Sequence, residues 1–235
     1  TIFTVIAPIC RVCDNIRLMA HLGVRIQSIL SKFPKTWNGK DCIIQMRQEG
    51  SNHWRQMEWI GWYFQHLCDT QLNNIFQIPG ESFRNGNVSF DGAAEGFNFD
   101  FKAHAWMTAA GKRQPNTVLN DKIAMDESVA KYGRHGLLLA LLKCEYDHDG
   151  NFKKWHESIK GGTSDYVKEG ISTGRKSRKR KVRAYVEKYV ILTITKENIH
   201  RLPVMNQGRN ADGKPRMPKY GINLDDIALF SPIEI

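Results

Sequence analysis

Two acidic residues and one lysine stand at a spacing that could support phosphate chemistry. Asp91 is followed nine residues later by Asp100, and Lys102 comes two residues after that. Carboxylate oxygens are the ligands that hard divalent cations such as Mg2+ prefer, and such a cation polarises a phosphate and activates bound water. A nearby lysine can orient that water or stabilise negative charge on the phosphate. These three residues are therefore candidates for the hydrolysis of a phosphodiester bond.

The surrounding sequence predicts a hairpin that would bring these side chains together. Residues 88–91 have the composition of a strand, residues 92–96 that of a turn, and residues 98–105 alternate strictly between polar and apolar side chains. Because successive strand side chains point to opposite faces, the polar residues of the second strand share one face. That face holds Asn98, Asp100, Lys102 and His104. Antiparallel pairing would place Asp91 within roughly 5 Å of its neighbours, near enough to share an ion.

The sequence around these residues resembles the PD-(D/E)XK nuclease superfamily, and within it the type II restriction endonucleases. The matching segments are VSFDG, which contains Asp91, and FNFDFKAH, which contains Asp100 and Lys102. Phe90 stands where the proline of the motif would be. The resemblance implies that Asp91 and Asp100 bind Mg2+, that all three motif residues are catalytic, and that the chain has a restriction-endonuclease-like core.

The same resemblance implies a further acidic residue upstream of the motif. Many members of the superfamily carry a glutamate on a helix near the metal. Glu58 in the segment QMEWIGWYF fits that role on a helix predicted over residues 52–68. Glu49 is the competing candidate, although it lies in a loop-like stretch beside Gly50. The resemblance therefore adds Glu58 as a fourth catalytic residue, and it covers residues 52–106.

The charge of the chain indicates a polyanionic partner. The formal net charge is +10, and residues 175–188 contain eight basic residues against one acid. Such density favours contact with a phosphate backbone and a steep dependence on salt, although a nuclear-localisation signal is an alternative. These residues lie in a broader basic segment around residues 172–220. The predicted DNA-contacting side chains are Arg175, Lys176, Arg178, Lys179, Arg180, Lys181, Arg183 and, from the hairpin, His104.

The sequence also allows other interpretations of the candidate residues. Glu95, in the predicted turn, could replace Asp91 as the first acid. His104 could contact DNA, and it could equally be an ordinary strand histidine. A solvated hairpin face with an ion pair between Asp100 and Lys102 would show the same alternation.

The remaining pattern predicts an α/β chain (mixed α+β) with a central mixed β-sheet flanked by helices. Residues 1–235 are expected to form a single domain, because the length suits one and no repeat is present. Helices and strands alternate irregularly along it. The other predicted helices cover residues 14–33, 120–132 and 151–160, and the other predicted strands cover residues 41–46, 137–146 and 188–195.

Cysteine usage and hydropathy favour a cytoplasmic protein, and the resemblance places it in a prokaryote. The five cysteines are odd in number and scattered, which is typical of reduced thiols rather than a disulfide framework. No run approaches the roughly 20 apolar residues of a membrane span, so no membrane partner is expected. The first residues are mildly apolar, but they lack the basic leader and cleavage site of a signal peptide.

Together these features predict a site-specific, Mg2+-dependent endonuclease of double-stranded DNA, of the type II restriction class. A homodimer is expected, because palindromic sites are read by two-fold symmetric proteins. One alternative is a repair or recombination nuclease that recognises DNA structure. Another is a basic DNA-binding protein without catalysis, in which Asp100 and Lys102 simply pair.

Overall fold

The computed structural model describes residues 11–79, 90–163, 168, 172, 179–208 and 214–235, with side chains from residue 18 onward. Its α-helices are α1 (Arg11–Leu30), α2 (Gly39–Gln48), α3 (Trp59–Gln71), α4 (Lys122–Tyr132) and α5 (Asn151–Ile159). Its strands are β1 (Thr36–Asn38), β2 (Gly92–Ala94), β3 (Phe97–Thr108), β4 (Asn116–Asp121), β5 (Arg134–Tyr146), β6 (Lys181–Thr195), β7 (Val204–Met205), β8 (Lys219–Asn223) and β9 (Ile233–Glu234). Short 3-10 helices cover Asn52–Arg55, Ile199–Arg201 and Leu224–Phe230.

A six-stranded mixed sheet forms the centre of the molecule. Its strand order is β1-β6-β5-β3-β2, with β9 also paired to β6. The pair β3 and β5 is parallel and the other pairs are antiparallel. A second sheet of order β4-β8-β7 is antiparallel. Helices pack against the central sheet, so the prediction of a mixed α/β fold is confirmed.

Strand β5 is buried on both faces and separates two apolar cores. Leu138, Ala140 and Leu142 belong to the first core, which α1, α2 and α3 cover. The alternate residues Leu137, Leu139 and Leu141 belong to the second core, which α4, β4 and β8 cover. A strand buried on both faces has no polar alternation, which explains the continuous apolar run that predicted a central strand here.

Strand β3 has one apolar face and one polar face, as the sequence predicts. Phe99 and Phe101 are buried in the first core. Asp100 is the register partner of Leu137, and Lys102 that of Leu139. Since partnered residues of adjacent strands share a face, the polar side of β3 is turned toward α4 and the smaller sheet.

The hairpin before this strand is tighter than predicted. Strand β2 begins at Gly92 rather than earlier, and the turn contains only Glu95 and Gly96. Both turn residues have left-handed backbone angles, φ 51° and 81°. That geometry matches the twist of the flanking strands in a two-residue hairpin. Residues 88 and 89 of the predicted first strand lie outside the described residues.

Two predicted elements differ from the structure. One has the wrong type, and the other begins later than predicted. Residues 41–46, predicted as a strand, lie within helix α2, because the Asn38 side chain caps it by accepting from Lys40 N at 3.1 Å. The helix predicted over 52–68 is a 3-10 turn followed by α3, which begins only at Trp59.

Residues 116–121 form a strand that the sequence did not predict. The helix predicted to start at Asn120 starts at Lys122, after strand β4. The sequence predicts Asn120 as the first residue of this helix. It instead lies near the end of strand β4, and its side-chain Nδ2 donates a hydrogen bond to Asp100 Oδ2.

The described part of the chain contains no helix long and apolar enough to cross a membrane. Cys42, Cys68 and Cys144 are buried free thiols. Cys10 and the side chain of Cys13 lie outside the described residues.

Candidate active site

Asp91 occupies the point where the hairpin ladder ends. Its backbone N–H donates to Phe99 O at 2.9 Å. Its side-chain Oδ2 accepts from Phe101 N at 2.8 Å. The carboxylate thereby takes the place of the backbone carbonyl that a longer β2 would offer. This hydrogen bond fixes the carboxylate at the edge of β3.

Lys102 joins this carboxylate to a second one on the same strand. Its Nζ lies 3.6 Å from Asp91 Oδ2 and 3.7 Å from Asp100 Oδ1. The Lys102 side chain is 28% exposed, that of Asp91 17% and that of Asp100 2%. The structure therefore brings the three motif residues together as a partly accessible Asp-Asp-Lys cluster, defined as Asp91, Asp100 and Lys102.

A buried hydrogen-bond network holds the Asp100 carboxylate on the side away from Lys102. Its Oδ2 accepts from Asn120 Nδ2 at 2.7 Å and lies 2.9 Å from His135 Nε2. The other ring nitrogen, Nδ1, lies 3.0 Å from Ser128 Oγ. His135 is fully buried and Ser128 nearly so. These contacts tie the cluster to β4, α4 and the start of β5.

The two carboxyl groups of the cluster have opposite pKa shifts. Burial raises the pKa of Asp91, and the neighbouring Asp100 adds to this, against the opposing effect of the Lys102 ammonium. For Asp100 burial also disfavours the charge, but Lys102 and the hydrogen bonds from His135 and Asn120 outweigh it and lower its pKa. Burial alone would lower the pKa of Lys102, yet the two carboxylates raise it overall. Asp100 and Lys102 are therefore both charged at neutral pH.

The cluster offers carboxylate oxygens, the type of donor that magnesium ions prefer. Within the ranges that the structure describes, no group of three or more His, Cys, Asp or Glu side chains is arranged to hold a metal. Structural and catalytic zinc sites need at least three such ligands. Mg2+ is commonly held by one or two carboxylates and completes its shell with water and phosphate oxygens. Asp91 and Asp100 are the residues that would hold it here.

The chain Asp100–His135–Ser128 has the residue types of a nucleophilic triad, but it is not placed like one. The Ser128 side chain is 4% exposed and His135 is 0% exposed. A serine nucleophile must contact its substrate, and the Ser128 hydroxyl on the buried face of α4 is not accessible to one. These two residues therefore support Asp100 and do not form a separate hydrolase site.

Glu95 does not join the cluster. Its carboxylate pairs with Arg25 Nη1 of α1 at 3.1 Å. Lys102 lies beside Asp91 instead. Of the two acids that the sequence left open, Asp91 is the one in the cluster.

Glu58, expected near the metal, is not brought together with the three motif residues in the structure. It immediately precedes α3 and its carboxylate pairs with Lys181 at the start of β6. Lys181 is the register partner of Tyr146, whereas Asp100 is the partner of Leu137. Those two positions on β5 lie about 30 Å apart at the usual strand rise. Glu58 therefore lies at the N-terminus of α3, away from the motif residues.

The other upstream acid and the histidine of the motif strand also have internal partners. Glu49 Oε2 lies 2.6 Å from His66 Nε2, at the end of α2. His104 Nε2 lies 2.7 Å from the carbonyl oxygen of Gln114. His104 thus fastens the loop that follows β3, and its predicted contact with DNA stays a prediction.

Some residues of the basic segment lie close to acidic side chains, and others lie outside the described residues. Arg180 is buried, 3.8 Å from Glu157, and Lys181 pairs with Glu58. Arg183 lies 3.9 Å from Glu145, and Lys179 is exposed. The remaining predicted contacts, outside the described residues, are Arg175, Lys176 and Arg178.

Three residues of the site were not identified from the sequence, namely Asn120, Ser128 and His135. One signal was present for His135, which directly precedes the apolar run that begins at Gly136. A histidine at the start of a fully buried strand requires hydrogen-bond partners. The sequence does not show which residue, 35 positions away, would supply one.

Comparisons with known proteins identify no relative of this chain. The chain matches no protein-family model, no curated protein and no solved structure. The geometry of the Asp-Asp-Lys cluster and the resemblance of its motif are therefore the features that indicate a function.

Proposed function

We propose that the protein is a Mg2+-dependent endonuclease that hydrolyses double-stranded DNA at specific sites, as type II restriction enzymes do. The observation that carries the proposal is the position of Lys102 Nζ, 3.6 Å from one motif carboxylate and 3.7 Å from the other. The basic charge of the chain supports a polyanionic substrate. Cleavage of a palindromic site would involve two copies of the chain.

Each residue of the cluster has a role in this proposal. The carboxylates of Asp91 and Asp100 hold the cation, which supplies polarisation of the phosphate and an acidified water. Lys102, charged and partly exposed, binds a non-bridging phosphate oxygen and stabilises the negative charge that develops there. The Phe101 amide keeps the Asp91 carboxylate in place.

The proposal predicts that changing Lys102 to alanine abolishes Mg2+-dependent cleavage while DNA binding persists. Loss of one charge-stabilising donor costs about 100-fold or more in rate. Supercoiled plasmid incubated with purified protein and Mg2+, followed by sequencing of the cut ends, measures activity and specificity together. The matched control is Lys112→Ala, which removes an exposed lysine from the loop after β3 and should cut normally.

Different results would separate the alternatives. Discrete fragments with one end sequence support the site-specific enzyme, whereas cutting confined to branched DNA indicates a structure-specific nuclease. If wild type binds DNA but never cuts it with Mg2+, the cluster is an ion pair in a binding protein. Cutting by both Lys102→Ala and Asp100→Ala would show that the cluster is not the active site.

A further inference from the structure

The two oxygens of Asp100 have different surroundings. Oδ2 accepts from Asn120 at 2.7 Å and from His135 at 2.9 Å. Oδ1 faces the Lys102 ammonium at 3.7 Å, on the accessible side of the cluster. Two donors thus occupy Oδ2, whereas Oδ1 is turned toward the partly exposed ammonium of Lys102.

The arrangement fixes the tautomer of His135. An ionised carboxylate only accepts hydrogen bonds, so the His135 Nε2 carries the proton that lies toward Asp100. In the neutral ring Nδ1 is then an acceptor, and the hydroxyl of Ser128, 3.0 Å away, donates to it. The ring is held between α4 and β3 and cannot turn without breaking two hydrogen bonds.

Burial makes these hydrogen bonds costly to lose. His135 is 0% exposed, and no water can replace its partners without opening the second core. An unsatisfied buried polar group costs about 1–3 kcal/mol, and more when it is charged. Asp100 therefore keeps one rotamer as long as His135 and Asn120 are in place.

We propose that His135 is a positioning residue that, together with Asn120, occupies Asp100 Oδ2 so that a divalent cation is bound through Oδ1 alone. Asp100 then coordinates through one oxygen, not two. This inference rests on the proposed function, since it concerns the cation that the cluster would hold. Residues that orient a metal ligand in this way typically change metal affinity about 10–100-fold when they are mutated.

The test measures metal binding directly, with Mn2+ as the probe and isothermal titration calorimetry as the readout. His135→Leu removes the donor and should weaken Mn2+ binding by about 10-fold or more. His135→Gln can place an amide N–H near the position of Nε2 and should recover most of the affinity. His135→Asn, equally polar but shorter, should not.

The control is another buried histidine with one hydrogen bond. His156 is 1% exposed and its Nε2 lies 2.8 Å from Trp54 O, remote in sequence from the cluster. His156→Leu should lower stability and leave Mn2+ affinity unchanged. Plasmid cleavage run in parallel should show that His135→Leu raises the Mg2+ concentration needed for half-maximal rate more than it lowers the saturated rate.

The outcomes separate this inference from the proposed function. If wild type cleaves DNA but His135→Leu binds Mn2+ as tightly as wild type does, the positioning role is overturned and the nuclease proposal stands. If wild type neither cleaves nor binds Mn2+, both fall. Should His135→Leu not fold, the comparison of Gln with Asn decides, and equal affinities in those two variants contradict the inference.

Discussion

At the scale of single residues, two buried histidines show how the partner decides the role. His135 contacts a carboxylate, whereas the Nε2 of His156 contacts the carbonyl oxygen of Trp54 at 2.8 Å. Burial lowers the pKa of His156 from 6.5 to about 4, and the nearby Lys160 and Arg180 add to this effect against Glu157. His156 is therefore neutral in the folded protein at any pH above about 5.

This pKa shift predicts a loss of stability in mild acid. Because the folded-state pKa of His156 is below the unfolded value, the unfolded chain binds the proton first. The contribution of neutral His156 to the free energy of unfolding is present above about pH 6.5, and it is lost as the pH falls toward the folded-state pKa of about 4. Between about pH 7 and pH 5 wild type should lose about 2 kcal/mol more than His156→Gln, which keeps a hydrogen-bond donor but does not titrate.

Urea unfolding of both proteins at the two pH values measures this difference. The carboxyl groups contribute equally to both chains, so they cancel in the comparison. Equal losses in the two proteins would mean that His156 is protonated in the folded state, against the pKa shift described above.

Residue roles could be predicted only where a local pattern carries them. Asp100 and Lys102 alternate with phenylalanines, and that alternation is enough to place both on one face of a strand. His135 meets Asp100 across a parallel strand pair, which no local pattern reveals. The role of Glu58 came from the resemblance and not from any pattern around it, and the structure places its carboxylate beside Lys181 instead of beside the motif residues.

At the scale of elements, the close approach of β3 and β5 depends on a glycine. Gly136 is the register partner of Phe99, and the Phe99 ring lies across it. A Cβ at position 136 would overlap ring atoms of that phenylalanine. Phe99 directly precedes Asp100 and Gly136 directly follows His135, so this contact sets the distance between the two halves of the site.

Gly136→Ala is therefore expected to destabilise the protein by about 1–3 kcal/mol, the usual cost of overpacking. Thermal and urea unfolding measure the loss. The matched control is Gly61→Ala in α3, where an added Cβ meets nothing within 4 Å. There alanine should stabilise by about 0.5–1 kcal/mol through helix propensity.

A second substitution checks the cause of this loss. Phe99→Leu, with its smaller side chain, should cost less when it is combined with Gly136→Ala than when it is made alone. Strict additivity of the two changes would show that the ring and position 136 are not in contact.

The elements that the sequence predicted well are those with long periodic patterns. The apolar run of β5 and the alternation of β3 both identify strands whose burial the structure confirms. The strand predicted over residues 41–46 is wrong because the Asn38 side chain caps a helix that begins at Gly39. Strand β4 was missed because its pairing with β8 is remote in sequence and only six residues long.

At the scale of the whole molecule, the positive charge is not uniformly available to a ligand. Three basic residues of β6 have acidic partners close by: Lys181 with Glu58, Arg183 with Glu145, and Lys188 with Glu234. Phosphate contacts from the basic segment are therefore expected from the residues that precede β6, including the exposed Lys179.

Matched triple substitutions test this distribution of charge. One variant carries alanine in place of Arg175, Arg178 and Lys179, and the other in place of Lys181, Arg183 and Lys188. Both remove three positive charges. If each residue of the first set contacts one phosphate, the slope of log affinity against log salt should fall by about 3, and the second set should change it by less than about 1.

Fluorescence anisotropy with a DNA duplex in EDTA, which prevents cleavage, gives these slopes. A larger effect from the second set would mean that the ion pairs of β6 open on binding. Equal slopes in both variants and in wild type would place the phosphate contacts elsewhere on the chain.

The hydrogen bond from the Phe101 amide to Asp91 has a spectroscopic consequence. The amide is 2.8 Å from Asp91 Oδ2, so its proton lies directly in the field of that carboxylate. Its proton and nitrogen chemical shifts will respond when the carboxylate gains a proton or a cation, although Phe101 itself takes no part in chemistry. A single backbone resonance, labelled without altering any side chain, thus reports the charge state of the site during a titration.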